Sequence, residues 1–553
     1  MKELILKHVL INALEHDGKA DLQAVIGKII SEEQSIRYKI KEMMPEIKAV
    51  VDEINSLSVE VQRQKLHEIG AEIKKAEVKQ EGLPELPNVE VGKVVLRMAP
   101  FPSGPLHIGN SRMVLLNDEY AKRYKGKLLL VIDDTIGSEE KHILPEAYKM
   151  IEADLKWLKV KFHKKVYKSD RIPIFYKAAE EIIKKGGAYV CECDVETLRK
   201  NRADGFACKH RSDSVNETLR KWGLMLKGKY KEGRAVLRLK TDMQYPNPAF
   251  RDRVLFRIVE RSHPRIGKKY KVWPMLEFSW AVDDHMLGIT HIIRGKDLVI
   301  EDMMEEFIWN LMGWRKSEMI HHGFLRIGAV KLSKTEARKA IEKGVYSGWD
   351  DPRTWSMKAL AKRGIQPGAV RNFVVNMGLS MSDVAVPEEI LYAENRKLID
   401  AQANRYFAVL DPVEISVEKA AKIKNAKTNL HPDFPKRGKR KIDVDSKKIY
   451  VERADFEKFS GKEVGLINLM SVNLRRTSVM TSKDVKYEIP KIHWVSEPNI
   501  KIKVVMPDGT FMKAMAEPAV KRLKVNELVQ FYRVGFCRVD KSGKETVLYF
   551  AHK

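Results

Sequence analysis

The chain has 553 residues, 44% of them apolar, with 101 Lys and Arg against 75 Asp and Glu, a formal charge of +26. That length calls for several domains with real cores. No apolar run is long enough to cross a bilayer, the N-terminus mixes acids into its apolar periodicity and reads as an amphipathic helix, not a signal peptide, and four cysteines make no disulfide framework; a soluble, cytoplasmic protein is expected. The charge is uneven: net −3 over residues 1–88, +13 over 391–553, and +16 between them. Basic charge on the middle and C-terminal parts suggests a large polyanion lying across both, although a lysine-rich solvated surface gives the same total.

Residues 1–80 alternate apolar and charged positions at helical spacing and predict three or four helices. Residues 81–93, EGLPELPNVEVGK, are a Pro/Gly-rich linker. The stretch from Val95 to Thr135 organises the rest. Lys93 to Ala99 reads as a buried strand, and Pro100, Pro102, Gly104 and Pro105 make a stiff turn. Ile108, Met113, Leu116, Tyr120 and Tyr124 recur at helical spacing until Gly126, and Leu128 to Ile132 is a second strand closed by Asp133 and Asp134. This β–turn–α–β unit opens a nucleotide-binding parallel sheet. Gly104 and Gly109 allow close approach to the backbone, and the helix start offers free N–H groups and its positive dipole end to an anion. His107 and Asn110, one turn apart there, can both donate to a phosphate; the bland alternative is a surface histidine in an ordinary turn.

Alternation continues with a helix over Leu144 to Leu158, a strand near Lys165 to Lys168, a helix over Ile172 to Lys185 and a strand at Ala188 to Cys191. Cys191-x-Cys193 and Cys208-x-His210 are separated by 14 residues, a set that can close a tetrahedral structural zinc site or be reduced thiols in a hairpin. Residues 211–270 hold no compact α/β signal beyond strands at Arg234 to Lys240 and Asp252 to Glu260. Phe278 to Val282 then leads into Asp283-Asp284-His285, and Ile289 to Ile293 reads as a strand ending at Arg294, with polar residues at its carboxyl end facing a ligand crevice. After a helix over Asp302 to Met312, Lys331-Leu332-Ser333-Lys334 puts two lysines three apart on a loop, suited to a triphosphate and a pyrophosphate leaving group.

RMAPFPSGPLHIGN (97–110) and, about 220 residues later, KLSK (331–334) resemble the two ATP-binding motifs of class I aminoacyl-tRNA synthetases. With IDDT (132–135), AVDDHMLGITHIIRGKD (281–297), SGWDDPR (347–353), NRYFAVLDPV (404–413) and ELVQFYRVGFCRVD (527–540), the chain from about Lys93 onward resembles the archaeal-type glutamyl enzymes of the glutamyl/glutaminyl subgroup. The resemblance implies a multidomain α/β fold: an N-terminal helical region (1–88), a Rossmann-type catalytic domain in two halves (89–190 and 272–345), an acceptor-stem-binding insertion carrying the zinc candidates (191–271), a helical stem-contact region (346–385) and paired β-barrels for the anticodon (386–553). It implies ATP-dependent activation of L-glutamate to glutamyl-adenylate and transfer to the terminal adenosine of tRNA, with tRNA bound before activation.

On that resemblance His107, Asn110, Lys331 and Lys334 position and neutralise the phosphates together with Mg2+, and Gly104, Gly109 and Ser333 complete the ATP site. Arg97 meets the substrate side chain and Asp133 takes the α-ammonium. Arg294 stands where glutamyl enzymes have arginine and glutaminyl enzymes an uncharged residue; a guanidinium gives bidentate recognition of a γ-carboxylate, each charge-assisted bond worth roughly 1.5–3 kcal/mol. Leu276 departs from a usual tyrosine and cannot donate a hydrogen bond, so Trp273 or a water is expected in its place. Partners are L-glutamate, ATP and tRNA-Glu, with tRNA-Gln a second acceptor if the barrels accept its anticodon. The basic run 422–442 is expected near the anticodon, as phosphate and unstacked-base contact. The rival readings are a glutaminyl-tRNA synthetase, a non-catalytic tRNA-binding paralogue, and a nucleotidyltransferase of the same superfamily acting on a small molecule, which should lack the long basic C-terminal third.

Overall fold

The computed structural model describes residues 2–16, 18–32, 40–71, 82–136, 142–328, 330, 332–543 and 545–553. Two compact units result, Met1–Glu81 and Gly82–Lys553. The first holds helices α1 (Lys2–Glu15), α2 (Leu22–Glu32), α3 (Ile40–Asn55) and α4 (Val59–Glu68) around Ile5, Val9, Val25, Ile29, Ile47, Val51, Ile54 and Leu66. Pro45 lies inside α3, where it removes a backbone donor. Fully buried Gln62 donates through Nε2 to the carbonyls of Gly18, Ile54 and Leu57 and ties the helix ends together.

The second unit opens with strand β1 (Val95–Met98), helix α5 (Ile108–Arg123) and strand β2 (Lys127–Ile132). Helix α6 (Ala147–Trp157), strand β3 (Lys164–Tyr167), helix α7 (Ile172–Lys184) and strand β4 (Ala188–Cys191) follow. The positive φ that ends α5 is at Lys125; Gly126 is required instead because a Cβ there would lie 2.4 Å from Val94 O. β1, β2 and β3 pair in parallel. Leu128, Leu130 and Ile132 face one core and Leu129 and Val131 the other, which is why this stretch is continuously apolar.

Helix α8 (Val195–Asp204), helix α9 (Val215–Leu226) and strands β5 (Val236–Leu239), β6 (Val254–Ile258) and β7 (Val272–Pro274) build an insertion whose antiparallel sheet runs β4-β5-β6-β7. α9 falls where no compact element is expected from sequence; its buried Trp222 packs edge-on against Phe256 at 5.1 Å. The segment leading into Asp283-Asp284 is helix α10 (Leu276–Met286), not a lead-in to the next strand. Strand β8 (His291–Gly295), helix α11 (Val299–Met312) and strand β9 (Glu318–His322) come next, with β8 parallel to β9. Val94 O accepts from Lys127 N on one side of β1, and Val95 O accepts from Thr290 N on the other, both bonds short, at 2.8 and 2.9 Å. The strands therefore run β3-β2-β1-β8-β9, with the order reversing between β1 and β8, the place where a parallel sheet opens a ligand crevice.

Strand β10 (Leu325–Ile327), helices α12 (Lys334–Glu342), α13 (Met357–Arg363) and α14 (Pro367–Asn376), strand β11 (Val384–Val386) and helix α15 (Glu388–Ile399) lead to the all-β part. α15 occupies the start of the stretch expected to be barrel; the first strand there is Asn404–Tyr406. Two seven-stranded sheets follow. The edges of one are Asn404–Tyr406 and Ala408–Leu410, and the edges of the other are Lys491–Ile492 and Trp494–Ser496. In each, a single residue, Phe407 or His493, separates the two edge strands, so each sheet curls back on itself. No helix among the described residues is long and apolar enough to cross a membrane.

Candidate functional site

His107 is the N-cap of α5, in extended backbone, and its Nδ1 accepts from Gly109 N at 3.1 Å. Asn110 Oδ1 accepts from His107 N at 3.2 Å, closing a reciprocal cap. An Nδ1 that accepts assigns the ring proton to Nε2. Burial, with Lys334 adding to it, holds the imidazole far below its ordinary range, at about 3. His107 is therefore a neutral N–H donor at a helix N-terminus, and the Asn110 amide N–H₂ has no partner among the described residues. The glycines have more local reasons than ligand approach. A Cβ at Gly109 would meet His107 Cε1 at 2.9 Å, and one at Gly104, whose φ is +147°, would meet the Trp349 ring at 2.9 Å.

His107, Asn110 and Met113 form a wall between two cavities at the switch point. The one of about 370 Å³ is lined by Arg97, Trp280, Arg294, His322 and Phe324 among others. The one of about 560 Å³ is lined by Pro100, Ser103, His142, Lys334, Thr335 and Arg338. Lys334 opens α12, and Ser333 caps it, accepting from Glu336 N at 3.2 Å. Burial lowers the Lys334 ammonium to about 8, against the opposing pull of Asp154. Lys331 lies outside the described residues.

Buried charge surrounds Trp280. The cations of Arg97, Lys168 and Arg294 lie 4.9, 5.1 and 5.0 Å from its ring centroid. The ring's negative face offers like charges a favourable contact; acids complete the balance. Arg97 donates through Nε and Nη2 to the two oxygens of Asp284, at 2.5 and 2.7 Å. Arg294 donates through Nη1 to Glu305 at 2.7 Å and through Nε and Nη2 to Asp302. Lys168 Nζ lies 2.8 Å from Ser279 Oγ and 3.4 Å from Asp133 Oδ1. Burial lifts the Glu305 carboxyl to about 7 despite Arg294, and it lowers the Lys168 ammonium despite Asp133.

The structure thus brings Arg97, His107, Asn110, Arg294 and Lys334 around the two cavities. Asp133 stands beside Lys168 behind them, and Asp134 is a structural group taking Ser169 N, Ser169 Oγ and Tyr148 OH. Trp273 does not replace the missing tyrosine of Leu276. It stacks on His263 at 5.2 Å, and Trp280, one helical turn beyond Leu276, lines the cavity. Sequence reasoning missed Trp280, Asp284, Glu305 and Lys168; the available signal was a pair of acids in an apolar stretch, which demands buried cations.

Cys191, Cys193, Cys208 and His210 converge. Cys191 Sγ and Cys208 Sγ are 3.7 Å apart, and Cys193 Sγ and His210 Nδ1 are 3.6 Å apart. A tetrahedral zinc with bonds of about 2.3 Å to sulfur and 2.0–2.1 Å to nitrogen sets these edges at about 3.8 and 3.5 Å. The other His210 nitrogen lies 3.6 Å from Glu192, as expected of an outer-shell carboxylate.

Residues 93–400 match the model of the catalytic domain of class I tRNA synthetases (E and Q), and 403–492 and 491–540 match two models of the anti-codon binding domain of those enzymes. The chain is 44% identical to the glutamate–tRNA ligase of Pyrococcus furiosus over 576 aligned positions, 45% identical to that of Pyrococcus abyssi over 573, and 40% identical to that of Methanothermobacter marburgensis over 557. Each match covers 100% of both chains.

Proposed function

The chain belongs to the class I tRNA synthetases of the E and Q group, and from that premise we infer that it is a glutamate–tRNA ligase, activating L-glutamate with ATP and passing it to tRNA. The observation that carries the choice of glutamate is the guanidinium pair at the smaller cavity, Arg97 and Arg294, where a neutral amide would gain little. Three of the five Arg294 N–H donors serve Asp302 and Glu305, which leaves two for the γ-carboxylate. Asp133 takes the α-ammonium, with Lys168 Nζ 3.4 Å from its Oδ1.

In the first step an oxygen of the glutamate α-carboxylate attacks the α-phosphorus of ATP and pyrophosphate leaves. In the second, the terminal adenosine 2′-OH of tRNA attacks the activated carbonyl and AMP leaves. No side chain acts as nucleophile; positioning and charge neutralisation do the chemistry. His107 Nε2–H, the Asn110 amide and the α5 N-terminus hold phosphate oxygens at the join of the cavities. Lys334, with Lys331, neutralises the departing pyrophosphate from the larger one. Mg2+ bound with ATP would add countercharge to that of Lys334 and Lys331. Gly104, Gly109 and Ser333 keep the turn and the α12 cap in shape.

Zinc held by Cys191, Cys193, Cys208 and His210 would be structural, pinning the insertion of 191–271 that meets the acceptor end of tRNA. The two curled sheets of the C-terminal part read the anticodon. There the basic run folds as a hairpin, Asn425–Asn429 against Lys439–Asp443, with Phe434 43% exposed and Arg437 over its ring at 5.2 Å, a fit for an unstacked base beside phosphate. The reaction belongs with the tRNA pool in the cytoplasm. Pyrophosphate exchange with tRNA present tests the reading: exchange should depend on glutamate, and exchange driven by glutamine would overturn it.

A further inference from the structure

The larger cavity carries a cation that the reaction as described does not use. Arg338 lines it together with Asn110, Lys334 and Thr335. On α12 Arg338 follows Lys334 by four residues, so both side chains leave the same helix face, roughly 6 Å apart along its axis. The Arg338 side chain is 21% exposed, and the acid nearest to it is Glu342, whose Oε1 lies 3.8 Å from Nε, beyond hydrogen-bond distance. Among the described residues no hydrogen bond engages the guanidinium. Five donors in a fixed fork therefore stand at a cavity wall without an acceptor.

Helix stability alone argues against this placement. Like charges at i and i+4 repel, and a cation in the first turn opposes the positive end of the helix dipole. Glu342 stands C-terminal to Arg338, the less favourable order for such a pair, and is itself 61% exposed. Asp297 is the single acid lining the cavity. A polyphosphate lying along α12 would relieve the repulsion and supply the missing acceptors.

We propose that Arg338 is a further catalytic residue of this reaction: its guanidinium holds the phosphates of ATP that depart as pyrophosphate, one helical turn beyond Lys334. An ammonium is a point charge, whereas the guanidinium fork grips two oxygens of one phosphate and fixes its direction. Lys334 and Arg338 thus take neighbouring phosphates of one chain. As an oxygen of the glutamate α-carboxylate bonds to the α-phosphorus, the bond from that phosphorus to the α–β bridging oxygen breaks, and its electron pair leaves with pyrophosphate. The charge gained by pyrophosphate develops between two fixed cations.

The inference rests on the ligase reading, and the test separates the two. The full chain is titrated calorimetrically with inorganic pyrophosphate and, separately, with AMP, which needs no ligase activity. KM for ATP is measured in glutamate-dependent pyrophosphate exchange with saturating tRNA. Arg338→Ala should weaken pyrophosphate binding and raise the KM for ATP by roughly 10- to 10²-fold, the loss of one charge-assisted contact. AMP, which lacks those phosphates, should bind as it does to wild type. Arg338→Lys keeps the charge without the fork and should recover only part of the loss; Glu342→Gln should behave as wild type. Arg338→Gln serves the same comparison if the alanine variant melts early. Pyrophosphate binding unchanged in Arg338→Ala or Arg338→Gln overturns the proposal. Equal losses for pyrophosphate and AMP, the mark of a displaced α12, overturn it as well. A raised KM for tRNA with pyrophosphate binding intact would assign Arg338 to a tRNA phosphate and overturn it too. Wild type without glutamate-dependent exchange would overturn the ligase reading itself, and with it the role in this reaction.

Discussion

Replacing Arg294 with alanine should remove two things that a second substitution can separate. The first is a structural pair. Glu305 has no exposed side-chain surface, and Arg294 is its ion-pair partner among the described residues; stripping a partner from a buried ion pair costs about 3–5 kcal/mol. Glu305 already sits at about 7, above the ordinary carboxyl value. A carboxyl raised in the folded state binds protons the unfolded chain has released, so its contribution is full at low pH and is lost as pH rises through 7. The melting loss of Arg294→Ala should therefore be larger at pH 8 than at pH 6. The second thing removed is recognition of glutamate. Two remaining N–H donors at roughly 1.5–3 kcal/mol each give about 3–6 kcal/mol, or ~10²–10⁴ in kcat/KM for glutamate. Arg294→Ala combined with Glu305→Gln removes the stranded charge. Differential scanning calorimetry should show stability regained, while exchange kinetics show the glutamate defect intact. Recovery of both together would refute the assignment of Arg294 to the substrate.

Other consequences are as direct. His107 is neutral across the working range, so kcat/KM for ATP should show no acid limb near 6.5; a limb there that vanishes in His107→Gln would contradict the neutral-donor role. Elemental analysis of purified protein should find one zinc per chain, and Cys208→Ser should lose it together with several degrees of melting temperature; a metal-free protein that melts like wild type would refute the zinc site. Trp280→Ala takes the shared ring from three cations and should raise the KM for glutamate by more than tenfold, with KM for ATP little changed. Pro45→Ala restores a backbone donor inside α3 and relieves about 3 kcal/mol of helix penalty, which should raise the melting of the first unit in calorimetry of the full chain.

What could be read in advance follows the range of the interactions. The β1–turn–α5–β2 unit was legible to within one or two residues, because its strands are continuously apolar and its turn is spelled in Pro and Gly. The zinc candidates were legible because their ligands lie within twenty residues. α10 was left without an assignment because Phe278 to Val282 is a short apolar run, and periodicity alone does not separate a buried helix from a strand. α9 was missed because its buried face is narrow: Thr218, Lys221, Trp222 and Met225 among polar residues. The charge network escaped for a different reason. Arg97 and Asp284 are 187 positions apart in the chain, and no local pattern pairs them. Arg294 was found through resemblance, whereas its partners Asp302 and Glu305, on α11, were read only as helix.

The most direct test of the account is aminoacylation of tRNA-Glu and tRNA-Gln transcripts with labelled glutamate and, separately, labelled glutamine. The account predicts glutamate on tRNA-Glu and no charging by glutamine on either transcript. Glutamate on both transcripts would keep the amino-acid site and assign relaxed anticodon reading to the two C-terminal sheets. Glutamine charging would contradict the role given to Arg97 and Arg294, and no charging at all would contradict the catalytic role of His107 and Lys334.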